Sequence, residues 1–191
     1  MSRDPYVNPR SGVLRNRLDI TDADELVEVE AEVTALRITQ VLEHGLPGEY
    51  DLAHLQAFHA RVFGDVYPWA GELRTVGIDK GVPFCPPEHL TSFAHDVFRR
   101  LAADGFLRGR DRTAFLDGLT DLVGNLNALH PFREGNGRTV RLFVAQLARD
   151  AGYDLRWRGM DPDENVAASR ASLAGDGGPL RAMLDGLLHE A

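Results

Sequence analysis

Apolar residues recur at three- and four-residue intervals in one segment after another of this 191-residue chain. That spacing places them on one face of an α-helix, so it predicts a fold built from packed helices. We expect helices at about residues 21–44, 52–62, 87–103, 112–129 and 136–151, followed by one or two more at about 161–173 and 178–189. No repeat or long linker divides the chain, which predicts a single all-α domain over residues 1–191.

The first helix carries a recognisable start signal. Thr21 is expected to cap its N-terminus, because acidic residues fill the following turn. The helix should end before Gly45, which precedes a proline by two positions. Helical spacing predicts an inward face made of Leu26, Val29, Val33, Leu36 and Val41.

One segment departs from the helical pattern. Leu73, Val76 and Ile78 alternate with polar residues, and a turn-forming Asp-Lys-Gly sequence follows at residues 79–81. This alternation predicts a short β-hairpin over residues 74–86. Residues 1–20 are rich in proline, arginine and asparagine, and we expect them to wrap over the domain as an N-terminal arm.

Charge and composition argue against several classes of protein. The net charge of −8 disfavours a general binder of nucleic acid or membrane surfaces, because both need broad positive surface. The single cysteine, Cys85, excludes an internal disulfide and a multi-cysteine zinc site. No apolar run approaches the roughly 18 residues of a membrane span, and the N-terminus lacks the apolar core of a secretory signal. We therefore expect a cytoplasmic protein without a direct nucleic-acid or membrane partner.

The segment HPFREGNGRTVR, residues 130–141, concentrates polar chemistry directly after a strongly apolar helix. Pro131 disfavours helical backbone at His130, so the preceding helix should end there. Gly135 and Gly137 permit tight backbone and leave the amides of residues 135–138 accessible at the start of the next helix. Unpaired amides at a helix N-terminus form an anion site, above all for phosphate.

The charged residues of this segment support the same interpretation. Arg138 and Arg141 stand three apart in the first turns of a helix, where cations oppose the helix dipole unless an anion is bound. Glu134 could hold a divalent metal between itself and phosphate oxygens. His130 is a candidate general base, because histidine is the side-chain type that exchanges protons near neutral pH. A P-loop of the form GxxxxGK(S/T) is absent, since no lysine follows the second glycine.

These twelve residues match every fixed position of HPFx(D/E)GNGRxxR, the signature of Fic (filamentation induced by cAMP) domain proteins. The segments YPWAGELRTV, NALHPFREGNGRTVRLF and GDGGPL resemble Fic segments in the same order. The N-terminal LRNRLDITDADELVEVEAEVTALR resembles the start of the short bacterial Fic toxins. The resemblance covers most of the chain and implies a compact Fic-type helical bundle with a flap beside the active-site loop.

The resemblance also implies a reaction and its residues. Fic enzymes transfer AMP from ATP, with Mg²⁺, to a hydroxyl side chain of a target protein. Carried over, His130 would deprotonate the target's Tyr, Ser or Thr hydroxyl and Glu134 would bind Mg²⁺. The phosphates would be held by Gly135, Asn136, Gly137, Arg138 and Arg141. The flap would dock the target through Thr75, Val76, Gly77, Ile78, Asp79, Lys80 and Phe84.

Regulation is expected from a separate protein. Many Fic proteins carry an inhibitory helix of the form (S/T)xxxE(G/N), and this chain has no intact copy. The nearest candidate runs from Thr21 to Glu25 but is followed by Leu26. The resemblance therefore implies the toxin of a toxin–antitoxin pair, with a small antitoxin supplying that motif and a type II topoisomerase subunit as a possible target. An unregulated enzyme fits the sequence too, whereas an exported effector is disfavoured because no delivery domain is seen.

Two other functions remain open from the sequence. Fic relatives with altered glycine-rich loops phosphorylate a target or transfer other nucleotides or phosphocholine, and the intact GNGR of residues 135–138 favours AMP over these. A non-catalytic nucleotide-binding regulator ranks last, because no expected residue of the site is missing.

Overall fold

The computed structural model describes residues 4–79 and 81–190, and helices dominate both stretches. This confirms the all-α fold class. The helices are α1 (Ala23–His44), α2 (Leu52–Phe63), α3 (Leu90–Ala103), α4 (Arg112–Leu129), α5 (Asn136–Asp150), α6 (Pro162–Leu173) and α7 (Gly178–Leu187). Among the helices that the structure describes, none is both long and apolar enough to cross a membrane.

Aspartate side chains begin four of these helices. Each accepts hydrogen bonds from amides of the first turn, which would otherwise have no partner. The prediction that Thr21 caps α1 is wrong, because Asp22 accepts from the amides of Asp24 and Glu25 and the helix begins one residue later. The four caps are Asp22, Asp51, Asp111 and Asp161.

Helices α4 and α5 run through the centre of the core. Phe115 and Leu126 of α4 and Phe143 of α5 are fully buried, and Phe58 of α2 packs edge-on against Phe143. Burial of such aromatic and aliphatic side chains supplies the main stabilising free energy of a domain of this size.

The inward face of α1 differs from the one predicted. Leu36 is 60% exposed, whereas Glu30 and Thr34 are only 8% and 1% exposed. Leu36 therefore does not belong to the inward face that the helical spacing predicts, although Leu26 and Val41 do. A carboxylate and a hydroxyl occupy the inward positions because both have polar partners inside the protein.

The segment expected as a β-hairpin contains little β-structure. Residues 74–86, called the flap below, form one isolated antiparallel bridge between Asp79 and Pro83, and the Phe84 amide donates to the Ile78 carbonyl. The regular two-stranded sheet in the described part of the chain pairs β1 (Tyr153–Leu155) with β2 (Leu188–Glu190). The last helix consequently ends at Leu187 instead of near residue 189.

Candidate active site

A cleft of about 500 Å³ lies between the flap, the loop that joins α4 to α5, and helix α6. His130, Glu134, Asn136, Gly137 and Arg141 all line it, so the structure brings together most of the predicted site residues. The cleft is therefore the candidate active site.

His130 occupies the first residue after α4 in a left-handed backbone conformation, with φ 43° and ψ 60°. Its amide still donates to the Leu126 carbonyl at 3.1 Å, which closes the last turn of the helix. The imidazole lies parallel to the Phe84 ring, with 3.8 Å between ring centroids and 11° between planes. Since Phe84 is buried, this contact fixes the ring of His130 against the flap and leaves Phe84 little surface for a target.

The loop after His130 is held by an internal histidine that sequence reasoning missed. Phe132 is fully buried and stacks on His59, with ring centroids 3.9 Å apart. His59 Nε2 donates to the Glu134 carbonyl at 2.9 Å, and its Nδ1 accepts from the Gly71 amide at 2.8 Å. Burial lowers the pKa of His59 to about 4, so this ring is neutral near pH 7 and braces the loop.

Asn136 closes the same loop from the other side. Its side-chain oxygen accepts from the Phe132 amide at 2.9 Å, and its side-chain nitrogen donates to the Phe132 carbonyl at 2.8 Å. Because Asn136 is 5% exposed and both ends of its amide group are engaged, the part of this residue open to a ligand is its backbone N–H.

Gly135 is required by both conformation and space. Its φ is +80°, and a Cβ atom would lie 2.4 Å from the Phe63 ring. The absence of a side chain lets α5 begin close against α2, with Gly135 in the N-cap position. The next three amides, those of Asn136, Gly137 and Arg138, make no hydrogen bond with any residue of the described ranges. Unpaired amides at a helix N-terminus are the feature from which the sequence predicts an anion site.

The two arginines in the first turns of α5, Arg138 and Arg141, point in different directions. The Arg141 guanidinium lines the cleft and has no hydrogen bond or ion pair within residues 4–79 and 81–190. Burial, together with the charge of Arg138, lowers its pKa from the ordinary arginine value. A partly buried cation without a counter-ion favours an anionic ligand.

Arg138 instead turns toward α1. One Nη lies 2.5 Å from the Glu30 carboxylate and the other 3.3 Å from the Thr34 hydroxyl. The guanidinium also stacks over the Phe63 ring at 4.7 Å from its centroid. It is not among the residues that line the cleft, although it begins in the same helical turn as the anion site.

Glu134 is exposed at the mouth of the cleft. Its Oε1 accepts from the Gly135 amide at 2.9 Å and lies 4.0 Å from Arg138. Within the described residues, no group of three or more His, Cys, Asp or Glu side chains could hold a metal ion. A single carboxylate fits Mg²⁺, which is often bound by one or two protein carboxylates together with substrate phosphates.

The flap contributes one wall of the cleft through Gly77, Ile78, Asp79 and Phe84. Thr75 and Val76 lie outside the lining, and Lys80 falls outside the described residues. The Thr75 amide donates to the Tyr6 hydroxyl at 3.0 Å, so the N-terminal arm contacts the base of the flap. Cys85 at the end of the flap is half-buried, and burial raises the pKa of its thiol.

The far end of the cleft was not predicted. Trp157 and residues of α4 and α6 enclose it, and the Trp157 indole donates to the Arg141 carbonyl at 3.1 Å. Asn127 donates to the Ser169 carbonyl at 3.3 Å, which ties α4 to α6. Asn165 and Ser169 add polar atoms beside the apolar surface. Since this wall joins segments distant in sequence, only the tertiary structure shows it.

The chain is similar in sequence to proteins named as adenylyltransferases. The chain is 40% identical over 184 residues to protein adenylyltransferase VbhT of Bartonella schoenbuchensis, covering 96% of this chain but only 38% of VbhT. It is also 40% identical to "Probable protein adenylyltransferase y4lH" of Sinorhizobium fredii, covering 94% of this chain and 93% of the relative.

Among solved structures, the N-terminal Fic domain of a VirB-translocated effector protein from Bartonella quintana, with bound ADP, superposes with a TM-score of 0.91. The two chains are 27% identical, and the match covers 97% of this chain and 94% of the other. The sequence model of the Fic/DOC family matches residues 49–148, which contain the whole of the loop between α4 and α5. This chain belongs to the Fic/DOC family.

Proposed function

We propose that this chain is a protein adenylyltransferase, which transfers AMP from ATP to a hydroxyl side chain of another protein. One observation carries the proposal most strongly. His130, Asn136, Gly137 and Arg141 line the same cleft, and the amides of Asn136 and Gly137 at the start of α5 have no hydrogen-bond partner among the described residues. A candidate base next to an anion site is the arrangement that attack on a phosphate ester requires. The names of the relatives agree with it.

The nucleotide would lie along the cleft with its phosphates at the α5 end. The amides of Asn136, Gly137 and Arg138 would donate to phosphate oxygens, and Arg141 would neutralise part of their charge. The adenosine would occupy the far end against Trp157 and the apolar residues of α4 and α6. Flat apolar surface beside a few polar groups suits a purine base.

His130 would act on the incoming hydroxyl. It takes the hydroxyl proton as the oxygen attacks the α-phosphorus, the bond to the β-phosphate oxygen breaks, and pyrophosphate leaves. The proton then passes from the imidazole to solvent. Glu134 would hold Mg²⁺, which when bound offsets negative charge on the phosphates. The stacking of His130 on Phe84 and the bracing by His59 and Asn136 fix these groups before substrate arrives.

The target and the regulator are proposed from the family resemblance. The flap would receive an extended target segment, since Gly77, Ile78 and Asp79 border the cleft beside His130. A subunit of a type II topoisomerase is the candidate target, in the cytoplasm. A small antitoxin with an (S/T)xxxE(G/N) helix would regulate the enzyme, because Arg141 has no acidic partner within the described residues.

Mass spectrometry tests the transfer. The purified protein is incubated with bacterial lysate, ATP and Mg²⁺, and tryptic peptides are searched for an AMP adduct on Tyr, Ser or Thr. We expect at least one lysate peptide to carry AMP, and the adduct to be lost with His130→Ala. A phosphate adduct that depends on His130 would make the enzyme a kinase, and would overturn the proposal.

A further inference from the structure

Arg74 is among the largest fully buried side chains of the protein, with 2% of its surface exposed. Among the described residues it has no carboxylate partner, so its charge is not balanced by an ion pair. Burying a cation is costly unless every N–H group finds an acceptor. Neutral acceptors must therefore hold the Arg74 guanidinium in place.

Backbone carbonyls from two separate segments satisfy the guanidinium. Nε donates to the His130 carbonyl at 2.8 Å, Nη1 to the Val76 carbonyl at 2.7 Å, and Nη2 to the Cys85 carbonyl at 2.5 Å. Val76 lies on the outgoing limb of the flap and Cys85 on the returning limb. One side chain thus joins both limbs of the flap to the loop that carries the candidate base.

The position of these carbonyls explains why a cation is tolerated. His130 follows the last turn of α4, and the Leu129 carbonyl lies 3.5 Å from Nη2. Carbonyls at the C-terminus of a helix have no partner within the helix and carry partial negative charge. The planar fork of arginine can donate in several fixed directions at once, which the compact ammonium of lysine cannot reproduce.

The contact reaches His130 through its backbone. The left-handed conformation of this residue, at φ 43°, is unfavourable for a side chain with a Cβ atom and persists only where its surroundings hold it. Arg74 holds the backbone at this residue and the next, because its Nε donates to the His130 carbonyl and its own amide donates to the Pro131 carbonyl at 2.9 Å. The backbone conformation of His130 sets where the imidazole lies against Phe84.

We propose that Arg74 is a positioning residue, which fixes the flap relative to His130 and so sets the target hydroxyl at the reacting distance from the base. It does not touch the nucleotide, since it is absent from the residues that line the cleft. This inference rests on the proposed function. It predicts that loss of Arg74 impairs transfer to the target far more than it impairs nucleotide binding.

Two substitutions and a matched control test the inference. Arg74→Lys keeps the positive charge but loses the fork, and Arg74→Met removes the charge. Arg149→Met is the control, because Arg149 also donates to a backbone carbonyl, that of Leu42 at 3.0 Å, but on an exposed surface outside the cleft. The folded fraction of each variant is measured first, so that rates are expressed per folded molecule.

We expect Arg74→Lys to bind AMPPNP within about twofold of the wild-type affinity while its transfer rate falls at least tenfold, since misplacement by about 1 Å can cost about a hundredfold in rate. Arg149→Met should match the wild type in both. Wild-type kcat and target KM per folded Arg74→Lys molecule would overturn the inference. A parallel loss of AMPPNP affinity would also overturn it, because it would indicate general damage to the site.

Hydrogen exchange provides a readout that does not depend on activity. In Arg74→Lys, and in Arg74→Met if it folds, amides of residues 76–86 and 128–135 should exchange faster, while those of α2 and α5 keep their protection. The Cys85 amide, which donates to the Ala128 carbonyl at 2.9 Å, is the most direct reporter. Unchanged exchange in the flap would refute the positioning role even if the wild type transferred no AMP. Absence of transfer by the wild type alone would instead refute the proposed function.

Discussion

The Glu30 carboxylate bonds to a cation, Arg138, and to a neutral hydroxyl, that of Tyr67, inside the protein. One oxygen lies 2.5 Å from the Arg138 guanidinium, and the other accepts a hydrogen bond from the Tyr67 hydroxyl. Burial, followed by this hydrogen bond, raises the pKa of Tyr67. Glu30 therefore helps to hold Arg138 toward α1 and away from the cleft, together with Thr34 and Phe63.

Replacing Glu30 with glutamine should lower stability and strengthen anion binding. Glu30→Gln keeps the shape of the side chain but removes the closer of the two carboxylates near the half-buried Arg138, which costs about 1–3 kcal/mol in the free energy of unfolding. AMPPNP should bind more tightly, because a negative charge near the phosphate site is removed. Urea unfolding and calorimetric titration measure the two effects. Glu28→Gln, on the exposed face of α1, should change neither, and unchanged stability in Glu30→Gln would contradict the account.

The buried His59 predicts a loss of stability in mild acid. Its pKa falls from 6.5 to about 4 on folding, chiefly by burial, so between these values the unfolded chain binds a proton that the folded protein excludes. The contribution of neutral His59 to the free energy of unfolding is complete above pH 6.5. It is lost as the pH falls toward 4, by about 3 kcal/mol in total.

Urea unfolding of the wild type and His59→Gln between pH 4 and pH 8 isolates this contribution. The variant should be less stable at pH 8, but its stability should fall less steeply below pH 6.5. His95→Gln, at an exposed position of α3, should follow the wild-type curve. Parallel curves for wild type and His59→Gln would show that His59 carries no such linkage.

Two glycine substitutions should change stability in opposite directions. Gly135→Ala introduces a Cβ atom at φ +80° and 2.4 Å from the Phe63 ring, and it should lower the free energy of unfolding by about 2–4 kcal/mol. Gly186→Ala meets no atom within 4 Å in α7 and should raise it by up to about 1 kcal/mol. Thermal unfolding measures both. A Gly135→Ala protein as stable as the wild type would mean that α5 does not need its close approach to α2.

Arg141 is expected to contribute to binding and little to stability. Arg141→Gln removes a guanidinium that has no partner within the described residues. The free energy of unfolding should therefore stay the same or rise slightly. AMPPNP affinity should fall by about ten- to a hundredfold, the range for a charged hydrogen bond. Arg158→Gln removes an exposed charge outside the lining and serves as the control. Equal AMPPNP affinities in Arg141→Gln and wild type would contradict this role.

The sequence predicts the helices and the loop of residues 130–141 because both depend on local patterns. Helical spacing predicts a helix over about residues 112–129, and α4 spans Arg112–Leu129. The order of His130, the glycines and Arg141 predicts a phosphate site at one helix start, because unpaired amides follow from local backbone geometry. Local spacing wrongly predicts that Leu36 faces inward, because its exposure depends on which side of α1 the rest of the protein covers.

The residues that support the site could not be predicted in this way. Arg74 acquires its role from carbonyls up to 56 positions away, and His59 from a carbonyl 75 positions away. Neither stands in a spacing pattern with its partners. The small amount of β-structure in the flap has the same origin, because its limbs are joined by the Arg74 side chain more than by a backbone ladder.

Parallel labelling with α-³²P-ATP and γ-³²P-ATP shows which phosphate of ATP the enzyme transfers. Wild type and His130→Ala are each incubated with bacterial lysate and Mg²⁺, and labelled proteins are separated by gel electrophoresis. We expect a target band that is labelled by the α-phosphate alone and is lost in His130→Ala. A band labelled from the γ-phosphate, or an α-labelled band that persists without His130, would contradict it.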